Sequence, residues 1–143
     1  MKWRKPTEAS EQRKVIQWSR FARCTEPDLD YLIHVPNEGR RTPRAGAELK
    51  RQGLSPGFPD LFLFVARGGY HGLAIELKTT TGKLTEPQER WLAALADKGF
   101  LAVCCRGSEE AIDTILRYLR KEDSHDTHAH GQGTGSATPP ACA

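Results

Sequence analysis

The sequence has no apolar run approaching the ~18 residues of a bilayer-spanning helix, which excludes that class of membrane protein. Residues 1–6 are basic but lead into no apolar segment, so a secretory signal is not expected and the chain reads as soluble and cytoplasmic. Cysteine is scarce: Cys24, Cys104, Cys105 and Cys142 form no Cys-x-x-Cys pair, which argues against a zinc site and for reduced thiols. Cys104 and Cys105 are neighbours that would point to opposite sides of a strand, a core arrangement rather than a nucleophile's. Lys and Arg are absent from Asp123 onward, where Asp123 and Asp126 are the acids. Without that segment the formal charge of +3 becomes +5, 21 basic residues against 16 acidic, a mild excess that suits a polyanionic partner.

At 143 residues the chain can build one domain with a hydrophobic core, expected over 1–122, with 123–143 as a disordered tail of polar and small residues rich in Gly and Pro. Residues 8–21 contain no Gly or Pro and set Val15, Trp18 and Ala22 at helical spacing, which predicts an amphipathic first helix. A short strand follows over 31–35. Thr42 and Pro43 supply a cap and a first-turn proline for a second helix that stops at Gly53. After a loop rich in Gly and Pro, the apolar run 61–66 reads as a buried strand, and 67–71 turns it into a second strand over 73–78. Thr85 and Gln88 have capping-box spacing ahead of a helix whose stripe is Trp91, Leu92, Leu95 and Ala96. A strand over 100–104 and a last helix capped by Ser108 complete the order. The prediction is an α/β fold, one mixed β-sheet flanked by helices.

Glu76 and Lys78 lie two apart in an otherwise apolar strand, so both project from one face of an interior element. Charged groups persist in such places when they are paired, hydrogen-bonded or bound to metal. Folding the hairpin about Gly68 brings Asp60 opposite Glu76, within one register step. Two carboxylates and a lysine would then meet at one end of the sheet, a set suited to a hard divalent cation. The same spacing also fits a structural Glu-Lys pair beside a solvent-facing Asp60.

Three strings then carry a resemblance: Pro-Gly-Phe-Pro-Asp-Leu at 56–61, Ala-Ile-Glu-Leu-Lys at 74–78 and Gly-Lys-Leu-Thr-Glu-Pro-Gln at 82–88. In order, spacing and flanking residues they resemble the VRR-NUC family of PD-(D/E)xK nucleases, and the likeness runs from about Glu8 to Leu119, through Val-Pro-Asn-Glu-Gly at 35–39. The compact length resembles the stand-alone members of phages and bacteria. The resemblance implies a restriction-endonuclease-like core and metal-dependent hydrolysis of DNA phosphodiesters in a bacterial or phage-infected cell. It implies Mg²⁺ or Mn²⁺ held by Asp60, Glu76 and the backbone carbonyl of Leu77, with Lys78 steering water or stabilising charge on phosphate. It also implies branched DNA such as a four-way junction as substrate and a homodimer as the working form. On the residues themselves, apolar surface near Phe21 or near Tyr118 is the candidate interface, and either position also fits the core.

The family further contributes a first-helix glutamate, often followed four residues later by glutamine, as Glu8 and Gln12 are here. Glu8 lies ~20° from Val15 around a helix and Glu11 ~40° on the other side, so Glu8 is preferred and Glu11 remains its rival. Gln88 faces inward on its helix; a capping box explains it, and the resemblance also sets it beside the active site. Arg40, Arg41, Arg44, Lys50 and Arg51 form the densest basic cluster, and Arg40, Arg41, Arg44, Arg51, Lys83 and Asn37, with Trp3, are candidate contacts to a nucleic-acid backbone. A solvated helix face would look the same. His125, His128 and His130 lie in the expected tail. Two other classes of function stay open on the residues alone: a catalytically silent DNA-binding module, and a protein-interaction domain with a structural Glu-Lys pair.

Overall fold

The computed structural model describes residues 5–36 and 42–121. The expected tail, His125, His128, His130, Trp3, Asn37, Arg40 and Arg41 therefore lie outside the described residues. Four strands form one sheet in the order β1 (Leu32–His34), β2 (Leu61–Leu63), β3 (Leu73–Lys78) and β4 (Leu101–Arg106). The first three are antiparallel to their neighbours, and β4 runs parallel to β3, so the sheet is mixed as expected. The helices are α1 (Glu8–Ala22), α2 (Pro43–Arg51), α3 (Glu86–Asp97) and α4 (Ser108–Leu119). None of the described helices is long and apolar enough to cross a membrane.

Alternation along β3 divides the interior. Leu73, Ile75 and Leu77 join Val15, Leu61, Leu63, Ala111 and Ile115 in a core beneath α1 and α4. Ala74 turns to the other face and meets Phe62 and Leu95, with Phe58, Trp91 and Phe100 around them beneath α3. Trp18 packs against the first of these cores and Trp91 against the second.

Several boundaries differ from the sequence reading, each for a local reason. Tyr31 closes a 3₁₀ turn (Pro27–Tyr31) instead of opening β1, because Pro27 presets the turn's first φ. Its carbonyl still accepts from the Phe64 N–H at 3.2 Å, so pairing continues past the strand's formal end. β2 stops at Leu63 rather than 66, since the Val65 carbonyl accepts the Tyr118 hydroxyl at 2.6 Å and Arg67 pairs with Tyr70 across the turn. β4 runs on to Arg106 because the parallel register carries it beside all of β3, ending with Lys78 opposite Arg106. Ser108 is the first residue of α4 and not its cap. Tyr118, named above as an interface candidate, is fully buried; Phe21 is 83% exposed.

Candidate functional site

The β2–β3 register pairs Leu61 with Ile75, and one further step sets Asp60 opposite Glu76. Asp60 Oδ2 accepts the Leu77 N–H at 2.8 Å, so the aspartate continues the ladder where β2 has ended. By strand alternation Asp60, Glu76 and Lys78 share the α3 face with Phe62 and Ala74. Glu76 and Lys78 are 1% and 4% exposed, and Lys78 Nζ lies 2.9 Å from Glu76 Oε1. A buried pair of this kind stabilises a fold weakly at best, because desolvating two charges costs about as much as their attraction returns. Its persistence in an apolar strand is better explained by chemistry than by stability.

Gln88 resolves two expectations with one side chain. Its Oε1 accepts the Thr85 N–H at 2.9 Å, holding the first turn of α3, while its Nε2 donates to Glu76 Oε1 at 2.7 Å. The loop before β2 makes this possible. Gly57 sits at φ 85°, and a Cβ there would fall 2.5 Å from the Pro87 carbonyl carbon, so only glycine lets the loop backbone lie against α3 at that point.

The two first-turn glutamates of α1 part company. Glu8 reaches the site: its Oε1 lies 3.4 Å from Lys78 Nζ. Glu11 turns to α4, where its Oε2 accepts the Ser108 N–H at 2.8 Å and the Ser108 hydroxyl at 2.7 Å, and Lys14 pairs with its other oxygen at 2.7 Å. The Lys14 ammonium and the two Ser108 donors hold the Glu11 carboxyl down at about 2. A negative charge at the start of α4 also favours the helix dipole. Glu11 is thus committed to joining α1 to α4, and Glu8 is the first-helix acid beside Lys78.

Two contacts at this end of the sheet were not anticipated. Arg106 Nη1 donates to the carbonyls of Thr79 and Gly82 at 3.1 and 2.7 Å, fastening the loop after Lys78. A Cβ on Gly82 would lie 3.3 Å from both Glu8 Oε1 and Lys78 Cδ, so the fastened loop closes over the pair. The signal in the sequence was a basic residue ending an apolar strand. His34 is the second: its Nδ1 lies 2.9 Å from the Asp60 carbonyl oxygen, a link across strands that no periodicity announces.

Of the remaining candidates, Arg44, Arg51 and Lys83 are exposed. Arg51 forms an ion pair with Glu48 on its own helix at 2.6 Å. The buried Cys105 thiol is pushed up to about 11 by desolvation and the Cys104 thiol is also raised, which agrees with inert core cysteines.

Among the described residues no three His, Cys, Asp or Glu side chains converge as a ready-made metal cage. What the site offers a cation is two carboxylates, Asp60 and Glu76, on adjacent strands. Leu77 lies between the two β3 site residues, with its N–H turned to Asp60. In a strand a residue's N–H and C=O project to the same side, so the Leu77 carbonyl is aimed toward the same edge. Hard oxygen donors of this sort fit Mg²⁺ or Mn²⁺ better than softer ions, with water completing the shell.

Residues 7–109 match the VRR-NUC domain family. No curated protein matches the chain. Among solved structures, a VRR_NUC domain protein is similar at 33% sequence identity and a TM-score of 0.73, covering 85% of this chain and 94% of that one. The family match takes in Glu8, Asp60, Glu76, Lys78 and Gln88 together, and the chain belongs to the VRR-NUC domain family, a family of nucleases.

Proposed function

We propose that the protein hydrolyses DNA phosphodiester bonds with a divalent ion, Mg²⁺ or Mn²⁺, at the sheet end formed by Asp60, Glu76 and Lys78. The observation that carries this reading is the convergence of Glu76, Lys78 and Gln88, nearly inaccessible to solvent, with Asp60 beside them. Asp60 and Glu76 would hold the ion with the Leu77 carbonyl, and Glu8 would stand on the α1 side. A divalent ion there polarises a phosphoryl oxygen and lowers the pKa of a water it binds. Gln88 fixes the Glu76 carboxylate through its 2.7 Å hydrogen bond, so that carboxylate is oriented before substrate arrives. Lys78 carries a positive charge into a dry site, where it stabilises negative charge developing on the phosphate and orients the attacking water.

The finer reading is an endonuclease selective for branched DNA such as four-way junctions, working as a homodimer. A junction presents two scissile strands related by an approximate two-fold axis, and a C2 dimer presents two equivalent sites. Phe21 on α1 is the apolar surface residue that supports an interface. Arg44, Arg51 and Lys83 would contact the backbone, as would Asn37, Arg40 and Arg41.

The test is incubation with supercoiled plasmid, flap and four-way-junction DNA in Mg²⁺, Mn²⁺ or chelator, with light scattering on the same preparation. Cleavage in metal and none in chelator is expected, fastest on the junction and from a two-chain particle. Salt-sensitive binding without cleavage in either metal would replace the nuclease by a DNA-binding module.

A further inference from the structure

A groove of about 640 Å³ lies between α1 and the edge strand β1, away from the face that carries Glu76. One of its ends is tied to the site described above. Gln12, which lines it, is one helical turn beyond Glu8, and His34, which also lines it, is the residue against the Asp60 carbonyl. From there the groove follows α1 to Arg20 and Arg23.

Its walls differ in character from its floor. Ile16, Leu29 and Leu32 make an apolar base. Arg13, Arg20 and Arg23 stand along the α1 rim, against one acid, Asp30, which lies 3.6 Å from Arg23. Arg13 and Arg20 are exposed and form no ion pair among the described residues. Arg13 Nε donates to the Ala9 carbonyl at 3.3 Å, which turns the guanidinium toward the site end of the helix.

We infer that this groove takes a single, unpaired strand of nucleic acid running to or from the scissile position, an assignment that rests on the nuclease reading above. A duplex shows a protein its phosphates and sugars and leaves an apolar floor unused, whereas an unpaired strand can turn base faces onto the floor and phosphates to the rim. Dimensions agree. Arg13 and Arg20 are seven residues apart, ~10 Å along the helix, which is about three nucleotide steps at a stacked rise of ~3.4 Å. With Gln12 and His34 at the entrance, a strand in the groove leads to Asp60 and Glu8.

The experiment measures anisotropy of fluorescently labelled oligothymidylate and of blunt duplex, in chelator, across a range of salt. The proteins are the full chain, Arg13→Ala/Arg20→Ala, and Arg90→Ala/Arg117→Ala, whose arginines pair with Glu86 within α3 and with Asp113 within α4. Unchanged melting temperatures establish that each variant is folded. Removing Arg13 and Arg20 should weaken single-strand binding at least about tenfold and lower the salt slope by about 1.4, at ~0.7 per phosphate contact. The Arg90/Arg117 pair should not weaken it, and duplex affinity should fall least. Equal losses for duplex and single strand, or no change in slope, would overturn the assignment. So would an acidic peptide that binds as tightly as the oligonucleotide and is lost with the same variants. Duplex cleavage in metal is scored separately: a chain that cuts but keeps full single-strand affinity without Arg13 and Arg20 refutes the groove alone. Groove-dependent binding with no cleavage supports the groove and refutes the nuclease.

Discussion

The two faces of the sheet are built from the same strands and serve different ends. Beneath α1 and α4, Leu61, Leu63, Leu73, Ile75 and Leu77 stay apolar to the last residue of the core. Beneath α3, the apolar set is Phe62, Ala74 and Leu95 with a few aromatic neighbours, and β3 passes from Ala74 to Glu76 and Lys78 within the same face. Both faces are dry, yet one excludes water to hold the fold and the other excludes it around charge. Burial by itself therefore says little about what a residue is for; the chemistry of what is buried says more.

That contrast can be broken most directly through stability. Ile75→Ala, on the aliphatic face, should cost ~2–5 kcal/mol, the usual loss for a large core residue cut to alanine. Glu76→Gln/Lys78→Met removes both charges at similar volume and should stay within about 1 kcal/mol of the wild type, since a buried ion pair replaced whole is often neutral. Urea denaturation in chelator measures both. A double variant as damaged as Ile75→Ala would make the α3 face structural after all.

Metal sharpens the comparison further. An ion that binds only the folded state at a hundred times its Kd adds ~2.7 kcal/mol, visible as a rise in melting temperature. Mn²⁺ should produce that rise in the wild type and in Ile75→Val, and not in Asp60→Asn/Glu76→Gln. A rise that survives the double change and disappears when the residues after Lys121 are deleted would assign the ion to His125, His128 and His130.

The smallest effect belongs to Glu11, whose carboxyl is lowered from about 4.5 to about 2 by Lys14 and Ser108. A depressed carboxylate contributes stability that is full above the unfolded value and is lost as pH falls through the folded one. Thermal melts of the wild type should therefore lose ground between about pH 4.5 and about pH 2, and those of Glu11→Gln should change less across that window. Because Lys14 is 59% exposed and screened by solvent, the difference should be on the order of 1–2 kcal/mol. Equal pH profiles would mean that the contacts of Glu11 with Lys14 and Ser108 contribute nothing.

The hairpin that sets Asp60 opposite Glu76 was readable in advance, because period-two alternation and the Gly68 turn leave one register step of freedom. Gln88 was readable as inward-facing for the same kind of reason. The choice between Glu8 and Glu11 was readable only as a preference for Glu8. Both lie within ~40° of Val15 around the helix, and what separates them is Ser108, a partner 97 residues away that no local pattern reveals. Strand ends failed similarly, since beyond β2 the Val65 carbonyl is taken by the Tyr118 hydroxyl of α4, a partner that lies far along the chain. The groove along β1 was invisible for a third reason: its rim comes from α1 and its floor from three elements, which no local sequence pattern joins.

One measurement bears most directly on the claim that the chemistry lies at Asp60, Glu76 and Lys78. Glu76→Gln and Glu11→Gln each neutralise one buried carboxylate near the same end of the fold, and both should be assayed for metal-dependent cleavage of supercoiled plasmid after circular dichroism shows them folded. The account predicts that Glu76→Gln loses at least about 10²–10³-fold in rate while Glu11→Gln cleaves as the wild type does. Wild-type cleavage by Glu76→Gln, or loss of cleavage in a folded Glu11→Gln, would contradict it.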